Sequence, residues 1–112
     1  MVDDALQVEA LKLLFSRYRL VIIDNKEAIN EYFKKCASVG IIVPEECSHE
    51  RLMRLSDEAY INTEAYPFDK MHRWLAFIQT SLSMMGLISI QEERDFTRPI
   101  LHSYHSHKPP SF

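Results

Sequence analysis

Asp69-Lys-Met-His-Arg-Trp-Leu-Ala-Phe-Ile-Gln-Thr-Ser-Leu-Ser-Met-Met85, followed at once by Gly86, is the stretch that sets the fold class. Its apolar residues return every third or fourth position, the period of an α-helix. Trp74, Met85, Ile78, Met71, Leu82 and Leu75 form one broad stripe. Phe77 and Met84 widen that stripe to about half the circumference, leaving His72, Gln79, Ser83 and Thr80 as the polar side. A surface helix shows a narrower apolar face, so this one is expected in the middle of a bundle.

The segments around it read the same way. Asp3 or Asp4 is placed to cap a first helix that ends at about Arg19 or Ile23. Glu9, Lys12, Ser16 and Arg19 line up as its narrow polar stripe. Val8, Leu11, Phe15, Tyr18 and Ile22 form one apolar side, and Leu6, Leu13 and Leu20 form another. Leucines seven residues apart make a straight seam that a further helix can cover. A capping-box spacing at Asp24–Glu27 opens a second helix over about 25–38, which Gly40 stops; its apolar face is Ile29, Tyr32, Phe33, Cys36 and Ala37. Ile41-Ile-Val43 is a short apolar connector before Pro44. A third helix over about 49–60, with Ser48 and Asn62 as its punctuation, turns Leu52, Met53, Leu55 and Ala59 inward. Ser89 and Glu92 make a second capping box and open a fifth helix. Pro99 either kinks that helix or begins a new turn capped by Thr97. The expected fold is all-α, a single bundle of four to six helices over residues 1–105, with 106–112 as an extended tail.

Composition agrees. Two glycines in 112 residues are too few for the tight turns of an all-β fold. The net charge of −3 gives no reason to expect a nucleic-acid partner. No apolar run approaches the roughly 18 residues of a membrane span, and the opening Met1-Val-Asp-Asp-Ala5 is acidic where a secretory signal is basic. A cytoplasmic setting is expected, with Cys36 and Cys47 as reduced thiols.

Chemistry-bearing clusters are sparse. His102, His105 and His107 are close in sequence, but a structural zinc needs four ligands and no second pair accompanies them. Cys47-Ser-His49 is equally short of partners, and Cys36 falls on an apolar helix face where cysteine acts as a small hydrophobe. Glu92, Glu93 and Asp95 at a helix start complement the macrodipole, which explains them without acid–base chemistry. No catalytic residue, metal or cofactor is therefore assigned. A helix-turn-helix over Phe77–Thr97 would want a small residue at Leu82 and an apolar one at Glu92, and its second helix would begin with acids that phosphates repel. A DNA-binding regulator is accordingly the third reading. The second is a binder of a small, nucleotide-like anion, because Lys70, Arg73, Arg94 and Arg98 lie in a C-terminal third that holds few acids. The first is a non-enzymatic interaction protein that pairs with itself through Leu6, Leu13 and Leu20 and acts on another, unidentified protein.

Lys70-Met-His-Arg-Trp-Leu-Ala-Phe-Ile-Gln79, then Gly86-Leu-Ile-Ser-Ile90, then Glu92-Glu-Arg-Asp-Phe-Thr-Arg98 resembles small proteins encoded by tailed bacteriophages and prophages. In those a basic-Trp-Leu-small-aromatic helix precedes a glycine-containing turn and an acidic-basic helix. The likeness covers residues 70–98 and carries no catalytic or ligand residues. What it implies is a setting, an accessory phage product acting in the host cytoplasm on a host or defence protein.

Overall fold

Helix α1, Asp3–Asp24, runs for 22 residues without a glycine or proline and is rich in leucine, a strong helix former. Ala10, Leu11, Leu14, Phe15, Tyr18 and Ile22 are buried along it. It packs against three other helices: α3 (His49–Ile61), α4 (Phe68–Met84) and α5 (Ile90–His105). The computed structural model describes residues 3–105, and there the chain is an all-α bundle whose remaining helix is α2 (Lys26–Ser38). The tail 106–112, with His107, lies outside the described residues, as do the side chains of His102 and His105.

The centre of the bundle is α1, not the tryptophan helix. Met71, Leu75, Ile78 and Leu82 of α4 enter the core, but Trp74 is only partly buried, and Phe77 and Met84 are exposed. The polar side of α4 supplies the reason. His72 lies 3.3 Å from Gln7, and the Gln79 amide donates to the Tyr18 hydroxyl at 2.9 Å. Both contacts turn that side toward α1, which rotates Phe77 and Met84 out.

The helix ends follow local chemistry. Gly40 (φ 79°) and Gly86 (φ 77°) both adopt the left-handed conformation that side chains resist. After each, the chain closes the helix with a bond to a carbonyl five residues back, Ile41 to Cys36 at 2.8 Å and Leu87 to Leu82 at 3.0 Å. Ser48 caps α3 by accepting the Arg51 amide at 3.3 Å, and Ser89 accepts the Glu92 amide at 3.4 Å. Asn62 ends α3, its backbone and side-chain N–H both donating to the Glu58 carbonyl.

One junction differs from the sequence expectation, and another selects between its two alternatives. No side-chain cap opens α2; Asn25 occupies that position and instead donates to the Val21 carbonyl at 2.8 Å. The residue thus closes α1, because one residue between two helices leaves its amide nearer the end of the first. At the other junction α5 continues through Pro99 without a new cap, and Thr97 donates to the Arg94 carbonyl within the helix at 3.5 Å. Proline removes the N–H that would reach the carbonyl of Asp95, and both residues are exposed.

Candidate functional site

The buried and exposed residues of α1 fall on different sides of the helix, and its leucine seam lies on the exposed one. Leu6, Leu13 and Leu20 are 43%, 54% and 56% exposed, and Ile23 extends the row. At about 100° per residue the three leucines lie within a narrow arc, so they form a continuous ridge. The three cations of α1 are all paired inside the chain, Arg17 beside the ridge and Lys12 and Arg19 about a quarter-turn round the helix. Lys12 reaches Glu64 at 3.7 Å, Arg19 pairs with Asp57, and Arg17 pairs with Glu93 at 3.0 Å. What the ridge presents outward is apolar surface bordered by the exposed carboxylates of Glu9 and Asp24, which form no ion pair among the described residues.

Behind the ridge lies a polar network that sequence reasoning missed. Arg17 donates through Nε and one terminal nitrogen to the two oxygens of Glu93, at 3.2 and 3.0 Å. The Tyr18 hydroxyl donates to the same carboxylate and accepts from Gln79. Glu93 is buried, and the Arg17 guanidinium lies 4.0 Å from the centre of the Phe96 ring. The forked bond from Arg17 holds Glu93 below its ordinary carboxylate range, with the Tyr18 hydroxyl acting in the same direction against the effect of burial. Burial first, and the Glu93 carboxylate second, push Tyr18 up to about 12. Near neutral pH the acid is thus fixed as charged and the phenol as neutral. Neither is poised to exchange a proton, so the network clamps α5 onto α1. Glu93 had read as a macrodipole acid; its true partner is 76 residues away and leaves no local signal.

The four cations of the anion-binding reading are distributed over two helices. Lys70 and Arg73 are on α4, and Arg94 and Arg98 are on α5. Lys70 sits 4.2 Å from the Tyr66 ring centre and 5.1 Å from that of Trp74, an aromatic contact of its own. Arg73, Arg94 and Arg98 are exposed. The arginines that the fold brings to the tryptophan come from α3: Arg51 and Arg54 line a cleft of about 360 Å³ with Leu55, Glu58, Trp74, Phe77 and Glu46.

The cysteines take structural places. Cys47, in a 3-10 turn at Glu45–Cys47, is buried with its sulfur 3.4 Å from the Ser81 hydroxyl, which docks that turn onto α4. Cys36 is half-buried, and both thiols are free. Among the described residues no group of three or more histidine, cysteine or acidic side chains converges, and no helix is long and apolar enough to cross a membrane. Comparison of the chain with protein-family models, with curated proteins and with solved structures gives no match.

Proposed function

We propose that the protein is a non-enzymatic interaction module that pairs with a second copy through α1 and engages a different protein in that form. The observation that carries this reading is the row Leu6, Leu13 and Leu20, roughly half exposed on a helix whose other side holds the core. Lys12, Arg17 and Arg19 are already paired within the chain, so what the ridge offers a partner is its apolar row with the exposed acids Glu9 and Asp24 at its edge. An identical ridge supplies one, and a two-fold pair brings each seam against itself.

Magnitudes set the expected strength. Removing a half-exposed leucine from water gains about 1 kcal/mol, so six leucines in a pair gain roughly 6 kcal/mol. Association costs roughly 4–15 kcal/mol in lost freedom, so pairing by the seam alone is weak and depends on concentration. The resemblance of residues 70–98 to small phage proteins supports a setting for this reading, a phage-encoded modulator of a host or defence protein. A nucleic-acid partner is favoured by no observation, since Glu92 is exposed at the start of α5.

Light scattering of the Leu13→Asp variant tests the reading. The expected outcome is a lower mass than wild type at equal concentration, with far-ultraviolet helicity retained because Leu13 lies outside the core. An unchanged mass overturns the seam as the contact.

A further inference from the structure

We propose that the cleft between α3 and α4 binds a small planar aromatic molecule carrying one anionic group, a carboxylate or a phosphate. Arg51, Arg54, Leu55 and Glu58 stand at successive positions of one stripe of α3, and Trp74 and Phe77 face them from α4 across about 360 Å³. That volume lies within the range of small-molecule pockets. Trp74, Phe77 and Leu55 make its apolar floor, and Phe77 is left 37% exposed.

The floor is fixed in advance. The Tyr66 ring meets Trp74 edge-on, with centres 5.8 Å apart and planes at 82°, and Lys70 lies over both rings. A platform already held in place loses little freedom when a flat ring stacks on it.

The charges at the rim select the ligand. Glu58 accepts the Tyr66 hydroxyl at 2.8 Å and is engaged there. Arg51 reaches only the exposed Glu45, at 4.0 Å, and Arg54 has no ion pair among the described residues. One guanidinium is uncommitted and a second is weakly held, beside an aromatic surface that inorganic ions would leave wet. An arginine fork matches the oxygens of a carboxylate or phosphate. Glu46 on the same rim, and Glu58, whose carboxylate accepts the phenol, disfavour polyanions and limit the ligand to a single anionic group held by the arginines.

Trp74 is the only tryptophan, so its fluorescence reports on this cleft directly. The full chain is titrated with benzoate and phenyl phosphate, and with benzyl alcohol and inorganic phosphate as the ring and the anion alone. A saturable change with either aromatic anion, absent for the two controls, is the expected result. Arg54→Ala, at an exposed position, should weaken that binding at least about tenfold, the usual loss for a charge-assisted hydrogen bond. Leu13→Asp should bind as wild type does, since seam and cleft share no residue. No saturable response to either aromatic anion, an equal response to inorganic phosphate, or unchanged binding by Arg54→Ala each overturns the proposal.

Discussion

Helices α1 and α2 follow one another with a single residue between them, yet they stand at opposite ends of the fold's energetics. The sequence of α1 carries apolar residues on two sides of a polar stripe, and α1 holds the centre of the core. In α2 the apolar and polar faces separate cleanly, yet Ile29 is its only buried residue. Tyr32, Phe33 and Cys36 are partly covered, Ala37 is exposed, and the following Ile42 is 93% exposed. Segregation of apolar residues shows that a helix has an inside; it does not show how much partner lies there. A helix with two apolar sides buries one in its own domain and offers the other outward, which is the case for α1. The neighbouring α2 rests mainly on α3.

The largest expected effect sharpens that contrast. Phe15→Ala should cost about 3–5 kcal/mol, and Ile29→Ala about 2 kcal/mol at the lower end for a buried aliphatic residue. Urea unfolding measures both, and equal costs would break the comparison.

Next in size is the clamp that holds α5 on α1. Glu93→Gln removes the charge that Arg17 and Tyr18 were arranged to meet, with an expected loss of about 1–3 kcal/mol. Its pH dependence has a defined sign. Glu93 titrates lower in the folded chain than unfolded, so its stabilisation is present above the ordinary carboxylate value of about 4.3 and fades as pH falls through the folded value. Tyr18 runs the other way. Its stabilisation is complete below 10.0 and is lost as pH rises toward about 12, because the unfolded chain gives up the phenolic proton first. Denaturation midpoints across pH should show the acid decline reduced in Glu93→Gln and the alkaline decline reduced in Tyr18→Phe.

The smallest effects belong to the α2 side. Ile42→Ser should change stability by no more than about 0.5 kcal/mol, as expected for a residue outside the core. Backbone amides of α2 should exchange with solvent faster than those of α1, since fewer buried contacts hold them. Mass spectrometry of deuterium uptake by segment checks this, and equal protection would count against the contrast.

Much of the fold was legible because its signals are local. Helical periodicity, the glycines at 40 and 86, and the serine caps at 48 and 89 all act within one or two turns of chain. The repeat of seven in α1 is written along a single helix, but its exposure is not, since a neighbouring element could equally have covered it. What could not be read depends on distant partners. Glu93 at a helix start satisfies the macrodipole equally well whether or not Arg17 meets it, and Gln79 looks the same facing water or Tyr18. Nothing local to Arg51 and Arg54 marks a cleft, because Trp74 is brought opposite them only by the packing of α4. Asn25 misled for the reverse reason: its neighbours had the spacing of a cap for α2, but the carbonyl within reach belonged to α1.

The claim on which function rests is that the exposed leucine ridge of α1 joins two copies of the chain. Sedimentation equilibrium of the wild type over a wide concentration range tests it most directly. A mass rising from the 13.2 kDa of one chain toward twice that value, with the rise abolished in Leu13→Asp, is the predicted result. A single species of one-chain mass at every concentration would contradict it.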